Sequence, residues 1–429
     1  MSNPNGTDLS PKAQEVMDYL ATHELTQRLN DIVNNTIRAR ADDPFAYMAQ
    51  QFLAIAQPPT ISHVTVSNIL DQTGSFRSLQ ADVYSWQPSS FVHLGRGVWP
   101  SATEGDNVAE LCNLITSQLK LKPLKSESLS ELDKTLSDLK EPNASVVIPA
   151  VSLAISRAVA HATRQDLYLF LHKRSNPEKL PNAVVSLPLV DIVKSNKLSF
   201  GYFGVFPSSR EFPLRQFYLA VGGIGKLLQA KLNAKDNVDV DKAETLLILL
   251  DEGIESSAAT PGDQISLWFD AAAGSMFNAE TGEYNIGGGA TVSREELLAQ
   301  YQTMVTQHRS LSLIVDPFHR SDTQGWERFA QVMDNSCFAV SSSDAVSGSL
   351  SSLSFTSTVS DYLRAASSLK DSQKDFVVQA NSSQNDDALA DLAVAVSAKY
   401  CRFGSMAQGY NSNLYNRLMQ IEELIKSQI

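Results

Sequence analysis

The chain has 429 residues, with a hydrophobic share of 43 % and a charged share of 19 %, the composition of a folded globular protein. It has room for a barrel domain of about 250 residues plus a smaller companion. A net charge of −12 without a basic patch argues against nucleic acid or an anionic membrane as the main partner. Cys112, Cys337 and Cys401, odd in number and far apart, read as reduced thiols, not as a disulfide framework or a zinc site. The start "MSNPNGTDLSPKAQ" is polar, and no window reaches about 18 uninterrupted apolar residues. The expectation is a cytoplasmic protein whose Asn-x-Ser/Thr triplets at Asn5, Asn143 and Asn381 stay unglycosylated.

Residues 12–56 read as a helical hairpin. In "ELTQRLNDIVNNTIRAR" the apolar positions Leu25, Leu29, Ile32, Val33 and Ile37 form a helical stripe. In "ADDPFAYMAQQFLAIA", Asp43 is a predicted N-cap, Pro44 takes the first helical position, and Phe45, Met48, Ala49, Phe52 and Leu53 share a face. Two short amphipathic helices cannot bury both faces alone, and such hairpins usually pair into four-helix bundles. Leu25, Leu29, Ile32, Val33, Ile37, Phe45, Met48 and Phe52 are therefore the expected dimerisation or docking residues. "QPPT" (57–60) reads as a linker, because two prolines stop a helix and favour extended chain.

From Ile61, "ISHVTVSNILDQTGSFRSLQADVYSW" alternates like two strands around a turn at Thr73-Gly74. Helical patterns follow at 107–119, 128–140, 147–171 and 211–232. Strands and helices alternate from about 184 to 425, which argues an α/β fold with helices outside a mainly parallel sheet. "VGGIGKLL" (221–228) fails the Walker A pattern at Ala220 and Leu227, and its glycines suit close helix packing. Ser293 and Glu296 have capping-box spacing ahead of a helix. The serine-rich run 341–360 is expected to be ordered, because Leu350, Leu353, Phe355 and Val359 punctuate it like buried strand positions. The seven histidines form no pair at i, i+3 or i+4, so they propose no metal cluster.

Two resemblances add to this reading. "YLATHELTQRLNDIVNNTIRARADDPFAYMAQQFL" resembles the dimerisation-and-docking hairpin of cAMP-dependent kinase regulatory subunits, with Tyr19-Leu20 before the first helix, Asp43-Pro44-Phe45 opening the second and Phe52-Leu53 closing it. In that family the paired hairpins receive an amphipathic helix from a partner protein. Residues 61–429 resemble enolase. "ILDQTGSFRSLQADVYS" (69–85) is similar to its first hairpin and "ASVVIPAVSLAISRAVAHATRQDLYLFL" (144–171) to its long helix. "PNAVVSLPLVDIV" (181–193), "QISLWFDAAAGSMFN" (264–278) and "LSLIVDPFHRSDTQGWERF" (311–329) are similar to barrel strands, and "YNRLMQIEELI" (415–425) to the last helix. The resemblance implies an α/β fold in which a helical hairpin (12–56) and a linker (57–60) precede a small α+β lid domain (61–180) and a modified (β/α)8 barrel (181–429).

That family dehydrates 2-phosphoglycerate with a Lys base, Mg²⁺ and a Glu acid. Carried over residue by residue, the first metal carboxylate falls on Asp270. The second falls on Val315, in "LIVDPFHR", and the third on Ser342 or Ser343, unless a register slip brings in Asp344. The base strand corresponds to "SLSSLSFTSTVS" (349–360), which has no lysine. The acid-bearing Gly-Asp-Glu-Gly-Gly has no counterpart near 235–256, and the Gln-Glu pair ending the second barrel strand lands on Gly201-Tyr202. The substrate-covering His loop becomes "KSNKLSFG", the phosphate clamp becomes roughly "QANSS" (379–383), and one phosphate-proximal cation survives as Arg402.

The expectation is an inactive enolase-like structural or adaptor protein with no cofactor. Asp270 would be a vestigial metal ligand and Arg402 a vestigial substrate ligand. Residues 12–56 would serve self-association or capture of a partner's amphipathic helix. A hairpin ahead of an enolase-like domain resembles the enolase-like proteins of cilia and flagella, which implies a cytoskeletal location in the axoneme and axonemal partners. The alternatives are a working or repurposed phosphopyruvate hydratase with Mg²⁺, built around Asp270, Asp316 and Arg402, and a non-catalytic sensor of a phosphorylated metabolite.

Overall fold

The computed structural model describes residues 10–427 except 71–73, 88–89, 101–107, 177–184, 195–199, 234–241, 288–289, 334–335, 343–348, 372–374, 381–385, 408 and 410. The chain divides into two compact units, Met1–Pro58 and Pro59–Ile429.

The first unit has three helices where the sequence reading expects two. Ser10 accepts the Ala13 N–H at 3.3 Å and Pro11 takes the first position of α1 (Pro11–Thr22). Tyr19 and Leu20 therefore lie ahead of α2 as expected, but inside an additional helix. Glu24 in the left-handed region (φ 50°) breaks the chain direction before α2 (Leu25–Ala39). Asp43 accepts the Phe45 and Ala46 N–H groups at 3.0 and 2.9 Å to start α3 (Pro44–Ile55). Among its helical residues only Ile32 and Thr36 are buried.

The second unit opens with the antiparallel meander β1 (His63–Ile69), β2 (Ser78–Gln87) and β3 (Ser90–Pro100). Gly95, Gly97 and Pro100 hide β3 from propensity reasoning. The glycines are there because a helix crosses the sheet closely. A Cβ on Gly97 would lie 2.1 Å from the Ala150 carbonyl oxygen, and one on Gly95 2.2 Å from that of Ala154. The meander is followed by α4 (Val108–Leu119), α5 (Leu129–Ser137), α6 (Ala144–Ala162) and α7 (Leu167–Ser175). α6 is apolar enough in composition to cross a membrane, yet fourteen of its nineteen residues are buried in this core. The helical pattern expected unbroken over 147–171 splits, because Arg164 takes φ 54° and ends α6 before Asp166 begins α7.

The barrel strands are β4 (Leu187–Lys194), β5 (Tyr202–Pro207) and, after α8 (Leu214–Asn233) and α9 (Ala243–Ser256), β6 (Ile265–Asp270). A ribbon of β7 (Tyr284–Gly287) and β8 (Ala290–Val292) leads to α10 (Arg294–Gln307), which starts at the expected Ser293–Glu296 capping box. Then come β9 (Leu311–Val315), α11 (Thr323–Met333), β10 (Phe338–Val340), β11 (Ser351–Ser354) and α12 (Val359–Asp371). β12 (Phe376–Gln379), α13 (Ala388–Ala395), β13 (Tyr400–Gly404) and α14 (Asn411–Ser427) complete the chain. The eight strands run in the order β10-β9-β6-β5-β4-β13-β12-β11, and a parallel bridge between Val340 and Leu350 brings the two edges together into a nearly closed barrel. β5 runs antiparallel to both neighbours, so Gly201-Tyr202 opens the second barrel strand and does not end it. Within the serine-rich run, Leu353, Phe355 and Val359 are buried and Leu350 is partly so, while 343–348 lie outside the described residues.

Two buried clasps fix the small domain to the barrel. Arg157 of α6 donates to Asp386 at 2.6 and 2.9 Å and also to Asp387, and Asp386 accepts the Val98 N–H of β3 at 2.7 Å. On the other side, Asp133 of α5 accepts the Ser152 hydroxyl at 2.6 Å and the Ser360 N–H at 2.8 Å, while Ser152 accepts the Val359 N–H at 2.8 Å. The small domain thereby caps the N-terminus of α12. Burial pushes the Asp133 carboxyl from 3.8 up to about 6, so the native state holds its proton longer than the unfolded chain does. Its stabilising contribution is full below about pH 4 and is lost as the pH rises through 6. Compared with Asp133→Asn, the wild type should lose about 3 kcal/mol between pH 4 and 7, read from denaturant midpoints. Parallel pH curves for the two proteins would contradict this.

Candidate functional site at the barrel mouth

Side chains alternate between the inside and outside of a barrel strand. The interior is filled by Leu187 and Leu189 of β4, Phe206, Trp268 of β6, Leu313 and Val315 of β9, Val340, Val377 and Tyr400 of β13. Two residues further along β4, β6 and β13, the alternation brings Asp191, Asp270 and Arg402 to the C-terminal mouth. In β9 the interior position at that level is Val315, paired in register with Asp270 on one side and with Val340 on the other. An apolar pair thus stands beside Asp270, and Val315 is 2 % exposed.

Asp316, one position on, cannot replace it. Its backbone turns into the left-handed region (φ 46°), its N–H donates to the Val340 carbonyl at 2.8 Å, and its carboxylate goes to Ser342. One oxygen accepts the Ser342 N–H at 2.9 Å and the other accepts the Ser342 hydroxyl. Burial raises the Asp316 carboxyl above the ordinary range, and the Ser342 hydrogen bonds only partly offset it.

Asp270 and Arg402, the two residues carried over from sequence, meet directly. Arg402 Nη1 donates to Asp270 Oδ2 at 3.1 Å, and Arg402 Nε donates to Asp191 Oδ1 at 3.3 Å. The second oxygen of Asp270 accepts the Ala272 N–H at 3.0 Å. The guanidinium lies 4.6 Å from the Trp268 ring centroid and 5.7 Å from that of Tyr202. Burial by itself would lower the Arg402 pKa, but Asp191 and Asp270 more than reverse this and raise it. Burial raises Asp191 as well, against the pull of Arg402. Arg402, expected at the phosphate end of a substrate site, instead commits its guanidinium to two carboxylates, because strand alternation aims it across the barrel.

Sequence reasoning missed Asp191 and Trp268, and met Tyr202 only as the counterpart of a lost Gln-Glu pair. An acidic residue inside the apolar run "LPLVDIV" was the available signal, since a buried carboxylate demands a partner. The counterparts proposed at Ser343, Asp344, 195–199, 235–241 and 381–383 lie outside the described residues. The docking positions Leu25, Leu29, Ile32, Val33, Ile37, Phe45, Met48 and Phe52 are in the N-terminal unit.

The donors present do not fit Mg²⁺. That ion takes near-octahedral oxygen ligands at about 2.0–2.1 Å. Here both Asp270 oxygens already accept N–H groups, Asp316 is held by Ser342, and a fixed positive charge lies against the carboxylates. Among the described residues no group of three His, Cys, Asp or Glu side chains converges as a metal set.

Comparison with known proteins agrees with the architecture. The family of the enolase C-terminal TIM-barrel domain matches residues 235–429, from ahead of α9 to the last helix. Enolase 4 of Homo sapiens is 20 % identical, over 97 % of this chain and 88 % of its own. Enolase 4 of Danio rerio is 22 % identical, over 97 % and 91 %. The enolase of Aeropyrum pernix is 27 % identical, over 77 % of this chain and 83 % of its own. The Enolase 4 alignments leave too few residues uncovered to omit the 58-residue N-terminal unit, whereas the archaeal alignment leaves room to omit it. The chain is enolase-like, and residues 235–429 of its barrel match the enolase C-terminal TIM-barrel domain.

Proposed function

We propose that this enolase-like protein is catalytically inactive and serves as a structural or adaptor component, attached to its assembly through the N-terminal helical unit. The observation that carries the reading is the barrel mouth. Val315 and Val340 line the register beside Asp270, and the remaining carboxylates there are held by Arg402 and Ser342. A general base contributes about 10²–10⁴ in rate, and a metal several kcal/mol of charge stabilisation on top. Asp270, already neutralised by Arg402, is poorly suited to hold the metal, and residues 349–360, where the base would stand, contain no lysine.

The N-terminal unit supports the second half of the reading. Ten of the eighteen large apolar side chains exposed among the described residues belong to it, including Leu29, Val33, Ile37, Phe45 and Phe52. Such a concentration of exposed apolar side chains on so small a unit supports a role as an interaction surface. Self-association or an amphipathic helix of a partner would cover it. The assembly we propose is cytoskeletal, the axoneme of a cilium or flagellum. What supports that location is the resemblance of the hairpin-plus-enolase plan to the enolase-like proteins of those organelles.

Proximity labelling in ciliated cells, with the full chain and with the chain lacking residues 1–58, tests this function. Axonemal proteins should be labelled by the full chain and lost on truncation. Labelling of glycolytic enzymes, unchanged by truncation, would contradict it.

A further inference from the structure

We propose that the Arg402 guanidinium is the built-in cation of the barrel mouth, taking the charge-neutralising place of a metal and fastening β4, β6 and β13 to one another. The proposal rests on the reading of the barrel as non-catalytic and goes further, because it assigns what the site holds.

Three observations lead to it. The guanidinium joins carboxylates from two other strands, Asp191 at 3.3 Å and Asp270 at 3.1 Å, and all three side chains are less than one-fifth exposed. It is seated against the Trp268 indole, which in turn needs Gly204 opposite. A Cβ there would come within 2.5 Å of Trp268 Nε1 and 2.1 Å of the Val190 carbonyl oxygen. The register beside Asp270 offers Val315 and then Val340, so β9 and β10 supply no competing ligand at that level. A planar cation with a fixed fork of donors suits two carboxylates on different strands better than a lysine would.

Two consequences follow. The native fold needs no divalent ion. Removing the guanidinium leaves two buried carboxylates facing one hole, a strongly destabilised arrangement that a small divalent cation can relieve.

Thermal unfolding of the full chain in EDTA and in millimolar MgCl₂ or MnCl₂ is the test. The wild-type midpoint should be the same in all three. Arg402→Ala should fall by roughly 4–6 °C in EDTA and recover part of the loss with either metal. A wild-type midpoint that climbs with Mg²⁺, an Arg402→Ala chain as stable as wild type in EDTA, or one that neither metal moves would overturn the proposal. Should Arg402→Ala fail to fold, adding Asp191→Asn and Asp270→Asn removes the unpaired charge and should restore a cooperative, metal-indifferent transition. Continued failure to fold would also overturn it. Phosphoenolpyruvate formation by the wild type would sink the functional reading whatever the midpoints show. A metal-dependent wild-type midpoint without turnover sinks this proposal alone.

Discussion

Leu29→Asp combined with Ile37→Asp is expected to abolish association through the N-terminal unit, weakening it by about a hundredfold or more. Leu25, Leu29, Val33 and Ile37 follow one another at four-residue intervals along a single ridge of α2. Leu29 and Ile37 are 45 % and 67 % exposed in the isolated chain, and Phe45 at the start of α3 is 77 % exposed. Covering a side chain of this kind is worth about 1.5–3 kcal/mol when complete. An aspartate in its place removes that gain and leaves a charge to be desolvated. Because both positions are exposed, the substitutions spare the unit's own fold. Ile32→Asp would not, since Ile32 is 5 % exposed. Light scattering should give the monomer mass for the double variant and a dimer for wild type, with helicity by circular dichroism unchanged. Equal masses and equal capture of partner proteins would remove the docking hypothesis.

Gly97→Val should destabilise the second unit by about 4 kcal/mol or more, the range reserved for named steric or buried-polar failures. The new Cβ would fall 2.1 Å from the Ala150 carbonyl oxygen and 2.8 Å from the Ala154 nitrogen, both backbone atoms of α6 that cannot rotate away. α6 would have to lift off β3, taking with it Arg157 and its pairing to Asp386. The denaturant midpoint of the barrel transition should fall together with that of the small domain, because the clasps join the two. A loss below about 1 kcal/mol would mean that helix and sheet are not held at this spacing.

The parts of the fold that obey simple periodicities were legible in the sequence. The Ser293–Glu296 box depends on neighbours within a few residues and was read from them, whereas Asp270 at the end of an apolar run and Val315 where a carboxylate would point were read from the resemblance to enolase. What escaped depends on distant parts of the chain. β3 is unreadable because Gly95 and Gly97 answer to α6, some sixty residues away. The antiparallel direction of β5 is set by pairing with β4 and β6, and its own six residues carry no trace of it. The ion pairs from Asp191 and Asp270 to Arg402 span more than a hundred residues, so only the folded barrel shows that the surviving cation and the surviving carboxylate neutralise each other. α1 was missed for a local reason: Ser10 and Pro11 make a start signal that the apolar stripe of α2 overshadowed.

Steady-state formation of phosphoenolpyruvate from 2-phosphoglycerate by the purified full-length chain in saturating Mg²⁺ tests the central claim most directly. The expected result is turnover at least about 10⁴-fold below that of an ordinary enolase assayed alongside, unchanged by Asp270→Asn. Turnover within about tenfold of the ordinary enzyme, abolished by Asp270→Asn, would show a working lyase and contradict the account.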